Sequence, residues 1–228
     1  MSLSNRSEEI IHLVNTRGTV SIKELALATY ASPSTIRRDI EKLAQMGLLR
    51  RRHGGAESVL LQNPPRIIRK QHNRAEKNAV AERAVAHILP NSTVFFDAST
   101  TVQYMIPYLS GIEGLTVYTN GIDTALALSK LRIRTVCTGG ELFSESMAFV
   151  GHVAASIART VFFDAMFFSS AGFDGSVISD FSESETAFRR VVMEQSAKKY
   201  FLADHTKQGK RYTHIVCPIS SVDEIICE

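Results

Sequence analysis

The sequence predicts an α/β chain in two parts, an N-terminal winged helix-turn-helix and a C-terminal Rossmann-like α/β domain. Three observations predict it. Residues 32–55, SPSTIRRDIEKLAQMGLLRRRHGG, join a capped amphipathic helix to a cationic run closed by two glycines. Beyond Asn91, short β-rich runs alternate with helical segments, the pattern of a largely parallel sheet covered by helices. Charge divides along the same line: residues 1–80 hold 14 Lys and Arg against 7 Asp and Glu, the remainder 12 against 16, although the net charge is only +3. A basic front joined to a mildly acidic remainder is the footprint of a phosphate-backbone binder tethered to a domain with another task.

Taken in order, Ile10, Ile11, Leu13 and Val14 mark the buried face of a first helix that ends near Arg17 and Gly18. Residues 19–21 form a brief extended link. Ser21, with Glu24 three residues on, makes a capping box for a second helix whose apolar side is Leu25, Ala26 and Ala28. In the third helix Ser32 is the N-cap and Pro33 takes the first position, where its missing N–H costs nothing. Ile36, Ile40 and Leu43 share one face, while Ser34, Thr35, Arg37, Arg38, Glu41, Lys42 and Gln45 project elsewhere. Gly47 stops this helix, and Arg50, Arg51, Arg52 and His53, closed by Gly54 and Gly55, suit a short two-stranded wing. Three helices followed by a basic hairpin place the third helix in a DNA major groove. Asp39 is expected to pair with an arginine of the helix or wing.

Residues 58–75 carry Pro64 and Pro65 among polar and basic residues with little periodicity, and are expected to link a DNA-binding domain at 1–57 to a second domain at 76–228. A helix over 76–89 is ended by Pro90. Strands are then expected at 93–96, 115–118, 135–137, 165–168, 199–203 and 215–217, with a last one near 224–227. Helices are expected at 102–109, 122–130, 153–159 and 185–198. Ligands of open parallel sheets bind at the carboxyl ends of the strands, and small, hydroxylated and charged residues follow each strand here. The hydroxyls of Ser99, Thr100 and Thr101 make a phosphate cradle, Gly139 and Gly140 let backbone approach a ligand, and Lys207 supplies a cation. Asp97, Asn120 and Asp174 are placed to hold hydroxyls.

Composition narrows the function classes. Charged residues stand where a signal peptide needs an apolar run, and no apolar stretch approaches the roughly 18 residues that span a bilayer. A cytoplasmic protein without membrane contact is expected. Cys137, Cys217 and Cys227 lack metal-ligand spacing and are expected to be reduced, buried thiols, with no metal and no cofactor.

The runs VSIKELA and STIRRDIEKLAQMGLLRRRHGGA closely resemble the N-terminal domain of the DeoR family of bacterial transcriptional regulators. DASTT, TNG, TGGE, AGFDG, SETAFRRVVMEQS and ADHTKQG are similar in order and spacing to its effector domain. The resemblance implies a C-terminal domain like the ribose-phosphate isomerase group, sensing a phosphorylated sugar or related metabolite. It implies operator double-stranded DNA as partner, contacted by Ser32, Ser34, Thr35, Arg37, Arg38, Lys42, Arg50, Arg51, Arg52 and His53. The effector residues it implies are Asp97, Ser99, Thr100, Thr101, Asn120, Gly139, Gly140, Asp174, Glu185 and Lys207, with Arg189 behind them. Against the family pattern the chain is expected to be short beyond residues 224–227. Function is expected to be that of a regulator, a repressor of a carbohydrate-metabolism operon relieved by a sugar phosphate, acting as a homodimer or homotetramer because paired helices read repeated half-sites. The alternative is an isomerase-like enzyme using Asp174 or Glu185 as acid–base with Lys207 beside it; otherwise no catalytic residue is expected.

Overall fold

The expected caps set the second and third helices in the computed structural model, which describes residues 3–58 and 64–228, and the first helix has a cap of its own. Ser4 caps α1 (Asn5–Arg17) by accepting from the Ser7 amide, and Ile10 and Val14 are its buried face. After β1 (Thr19–Ser21), helix α2 (Ile22–Ala28) starts with the full capping box. The Glu24 amide donates to Ser21 Oγ at 3.2 Å, and the Ser21 amide donates to Glu24 Oε2 at 2.9 Å. Ser21→Ala is expected to cost about 1 kcal/mol, read as a lower urea midpoint for the unit that carries it.

Ser32 caps α3 (Pro33–Gln45) through the Thr35 amide, and Ile36, Ile40 and Leu43 are buried. The wing is β2 (Arg50–Arg52) and β3 (Gly55–Glu57), turned through Gly54 at φ +79°, a left-handed conformation that favours glycine. The extended link β1 joins this sheet, in the order β1-β3-β2. Val20, Leu25, Leu48, Leu49 and Ala56 close the core around α3.

Part of the expected linker is helical. Residues 59–63 lie outside the described residues. Immediately after Pro65, whose carbonyl accepts from the Ile68 and Arg69 amides, α4 (Arg66–Gln71) forms and buries Ile68 in the same core as α3. Six residues are too few to display a helical period, which is why the sequence reads there as irregular. The chain divides into the units Met1–Arg69 and Lys70–Glu228.

The second unit runs α5 (Arg74–Val85), β4 (Thr93–Phe96), α6 (Thr100–Gln103), β5 (Thr116–Thr119), α7 (Ile122–Leu128), β6 (Arg134–Cys137), β7 (Glu141–Phe143), β8 (Ala148–Val150) and α8 (Gly151–Arg159). It continues with β9 (Phe163–Phe168), β10 (Gly172–Phe173), β11 (Val177–Asp180), α9 (Glu183–Glu194), β12 (Ser196–Leu202), β13 (His214–Pro218) and β14 (Glu224–Ile226). Six strands form one parallel sheet in the order β14-β12-β9-β4-β5-β6. Alternate residues of β4 and β9 face opposite cores, as a period of two requires. Val94, Phe96 and Phe167 pack with Val80 and Ala84 of α5 and Leu128 of α7. Phe95, Met166 and Phe168 pack with Ala154 and Ala158 of α8 and Phe188 and Val192 of α9.

Several expectations are corrected. Residues 215–217 belong to β13, outside the main sheet, in an antiparallel sheet ordered β10-β11-β13. The helix expected over 102–109 stops at Gln103 and resumes only as a 3₁₀ turn, Ile106–Tyr108, because Pro107 cannot continue it. The helix expected to 198 ends at Glu194, and Ser196 already pairs with Phe163. No Gly or Pro marks that boundary. Cys217 is buried, and burial pushes its thiol up to about 11, but Cys137 is exposed at the end of an edge strand and Cys227 is half-buried. Among the described residues no helix is long and apolar enough to cross a membrane.

Candidate nucleic-acid interface and ligand site

On the first unit, Ser32, Ser34, Arg37, Arg38 and Lys42 are exposed along α3, with Thr35 half-buried, and Arg50, Arg51, Arg52 and His53 are exposed on the wing. Helix and wing enclose a cleft of about 590 Å³ lined by Ile22, Arg37, Ile40, Arg51, Arg52 and His53 with the two wing glycines. Cations thus converge from two elements. Arg52 is tied to Glu57 at 3.0 Å, and Arg51 stands 4.0 Å from Glu41. Asp39 pairs at 2.7 Å with Arg6 of α1, not with an arginine of α3 or the wing as expected, since α1 packs behind the helix on the side Asp39 faces. Tyr30, to which the sequence reading gave no role, is 97% exposed at φ +51° in the turn before α3. An exposed aromatic held in a conformation uncommon for a residue with a Cβ is the kind of outlier that clusters at functional surfaces.

In the second unit the chain leaves β4 toward one edge of the sheet and returns through β9 toward the other, so β4 and β9 flank the topological switch point where such sheets bind ligands. Asp97 follows β4 and is 2% exposed. Its Oδ1 accepts from the Ser99 amide at 2.9 Å and its Oδ2 from the Ser169 amide at 3.1 Å, which fixes the loops after both strands. Arg189 of α9 donates to the same Oδ2 at 3.2 Å and to Asp180 Oδ2 at 2.7 Å, and lies 3.5 Å from Glu185. Burial works against the charge of this guanidinium, yet Asp180, Glu185 and Asp97 together hold it well above its ordinary value. Asp97 and Glu185 are thereby engaged by the protein itself.

Lys207 reaches the switch point from the loop after β12. Its Nζ donates to Ser169 Oγ at 2.7 Å, beyond β9, and stands 3.4 Å from Thr101 Oγ1, beyond β4. Ser99, Thr100 and Thr101 are buried, and Ser99 Oγ caps α6 by accepting from the Val102 amide. Asn120 follows β5, is 3% exposed and donates from Nδ2 to the Phe149 carbonyl at 3.0 Å. Gly140 has φ +115°, and a Cβ there would lie 2.8 Å from the Val150 carbonyl oxygen. Its lack of a side chain therefore serves the approach of β8 and α8. Gly139, at φ +62°, faces open space.

Lys207, Thr101 and Ser169 come together, with Asp97 and Ser99 in the adjoining loop and Thr100 opening α6. Asp174 is instead engaged in the β10–β11 turn, where Arg211 donates to Oδ2 at 2.7 Å and the Ser176 and Val177 amides donate to Oδ1. Arg211, then those two amides, hold its carboxyl far below the usual range. Ser169 and Asp180 are the contacts that sequence reading missed. Ser169 was visible as a strand-end residue, but nothing in the sequence signals that Asp180 and Asp97 share one arginine.

The amino-acid sequence matches the DeoR-like helix-turn-helix domain over residues 6–62 and the DeoR C-terminal sensor domain over residues 72–228. The HTH-type transcriptional regulator GolR of Listeria innocua is 32% identical over 98% of this chain and 89% of its own length. The lactose phosphotransferase system repressor of Staphylococcus aureus is 30% identical over 100% of this chain and 93% of its own. Among solved structures, ribose 5-phosphate isomerase A of Neisseria gonorrhoeae is similar with a TM-score of 0.45 at 15% identity, over 59% of this chain and 53% of that one.

Proposed function

The chain belongs to the DeoR family of DNA-binding transcriptional regulators, and from that premise we propose a repressor of a carbohydrate operon that is released when a phosphorylated sugar occupies the strand-end site. Likeness to a lactose phosphotransferase system repressor supports the sugar-linked role. The observation that carries the ligand class is Lys207. Its ammonium bridges the first turn of α6, after β4, and the loop after β9 at the switch point and lies within hydrogen-bonding reach of two hydroxyls, an arrangement suited to an anionic group. Asn120 is in reach of the same edge for a sugar hydroxyl. The protein acts in the cytoplasm as a homodimer or homotetramer, and Tyr30 joins the α3 and wing residues in contacting the operator.

A catalytic reading is disfavoured by the state of its acids. Asp174 is held ionised by Arg211 and so is not poised to exchange a proton near neutral pH, and Glu185 is engaged by Arg189 at 3.5 Å. Release requires the sugar phosphate to bind the DNA-free arrangement more tightly than the DNA-bound one.

The test is an operator-binding titration at fixed salt with a panel of pentose and hexose phosphates. The wild type is expected to release DNA with at least one of them. Lys207→Gln is expected to need about tenfold or more of that sugar phosphate for release, measured against its own ligand-free operator affinity, the loss of one charge-assisted contact of about 1.5–3 kcal/mol. A wild-type complex indifferent to the whole panel defeats the sensing reading, and a Lys207→Gln variant with unchanged response defeats the assignment of Lys207.

A further inference from the structure

The peptide that enters the second unit is held by the same loops that form the strand-end site. Asn73 is the N-cap of α5, yet it makes no cap hydrogen bond with its own side chain and is held in the left-handed region at φ 52°, ψ 50°. An asparagine there ordinarily accepts from an amide of the first turn. Its Nδ2 instead donates to Asp204 Oδ1 at 2.9 Å and to Thr206 Oγ1 at 3.0 Å. Those two residues form one turn with Lys207, whose amide donates to the Asp204 carbonyl at 3.0 Å. Burial pushes the Asp204 carboxyl up, but Lys207, Thr206, Asn73 and Lys77 outweigh it and hold the group ionised below its ordinary value.

Two further grips act on the same short peptide. Lys77, 3% exposed, donates from Nζ to the His72 carbonyl at 2.8 Å. Tyr104 donates from its hydroxyl to the Lys70 carbonyl at 2.8 Å, and the Tyr104 amide donates to the carbonyl of Thr101. Upstream, residues 70 and 71 are the last turn of α4, whose Ile68 is buried in the core that carries α3. The chain that leaves the DNA-binding core at Arg69 thus enters the second unit through a peptide gripped by Tyr104, at the end of the helix that carries Thr101, and by the turn that carries Lys207.

We propose that residues 70–73 are the relay of this regulator: Tyr104 and the Asp204–Thr206 turn grip the peptide, so a change in the elements that carry Thr101 and Lys207 alters how α4 is held and thereby operator affinity. The proposal rests on the strand-end site being the effector site, and adds the route by which its occupancy is felt. Asn73, Tyr104 and Thr206 are positioning residues, acting through the peptide at 70–73 that their hydrogen bonds hold. Coupling between two sites in one protein is commonly about 5- to 150-fold in affinity, well within what the four hydrogen bonds on this peptide can transmit.

The first arm of the test uses the full chain without ligand. Asn73→Gly removes the side chain while suiting the left-handed backbone, and Tyr104→Phe removes only a hydroxyl, so both are expected to fold. Amide exchange over residues 70–74 should quicken in both variants, and operator affinity, measured by fluorescence anisotropy, should change about fivefold or more. Quickened exchange with unchanged operator affinity overturns the relay, and so does unchanged exchange. The second arm adds inorganic phosphate. In the wild type, protection should rise over 204–207 and over 70–74; in Asn73→Gly it should rise over 204–207 alone. Protection rising equally over 70–74 in both proteins overturns the relay. Phosphate that leaves 204–207 unprotected in the wild type counts against the effector site, and the ligand-free arm then decides the relay by itself.

Discussion

Arg189→Met is expected to lower the stability of the second unit by about 3–5 kcal/mol, the cost of removing one partner of a buried ion cluster. Asp97, Asp180 and Glu185 all lie within 3.5 Å of this guanidinium and all are buried. Methionine fills much of the same volume, so the loss comes from leaving three carboxylates without their cation and not from a cavity. The sign is set by that asymmetry: breaking a buried pair strands a charge, whereas replacing the whole cluster by neutral groups removes the desolvation cost along with the attraction. Arg189→Met combined with Asp180→Asn and Glu185→Gln should therefore recover a large part of the loss. Urea denaturation of the second unit's transition checks both statements, with an unchanged slope showing that stability and not compactness has moved. A single variant as stable as the wild type would mean that Arg189 is not the centre of the cluster. The variant should also loosen the site, because Asp97 holds the Ser99 and Ser169 amides only while it is itself held.

How much of this was legible beforehand depended on whether a residue acts through its neighbours in sequence or through distant ones. Caps are local, so Ser21 with Glu24 and Ser32 with Pro33 announced α2 and α3, and the structure starts both helices there. Strand-end chemistry is nearly local. Once a parallel sheet was expected, Asp97 and Lys207 fell at carboxyl ends because every strand of such a sheet points the same way. What those side chains do was not legible. Asp97 reads as a group free to hold a hydroxyl, but Arg189, 92 residues away, and two backbone amides occupy it. Asp174 reads as a pocket acid and is the anchor of a turn to which Arg211 returns. Asn73 gives no sign in sequence at all, because its partners lie 131 and 133 residues away. The strand at 215–217 was recognised as a strand and given to the wrong sheet, since a β propensity carries no information about partners.

Arg37→Ala and Arg38→Ala are each expected to weaken operator binding by about tenfold to a hundredfold, equivalent to about 1–3 kcal/mol, and the two losses should differ in kind. Arg37 lines the cleft with Arg51, Arg52 and His53, a concentration of positive charge from two elements that suits a phosphate. Its removal should weaken operator and random DNA alike and reduce the salt slope by about one counterion. Arg38 stands one helical turn beyond Ser34, is exposed on α3 and does not line that cleft, so of the two it is the one left to reach a base edge. Its removal should therefore weaken the operator while changing random DNA by little, so that discrimination itself falls. Neither residue belongs to the unit that carries Lys207, so ligand binding by that unit should be unchanged. Anisotropy titrations against operator and scrambled duplexes at several salt concentrations separate these outcomes. Equal loss on both duplexes for Arg38→Ala would make it a phosphate contact and would move base reading to Ser34, Thr35 or the wing. A parallel loss of ligand binding would contradict the division of labour between the two units.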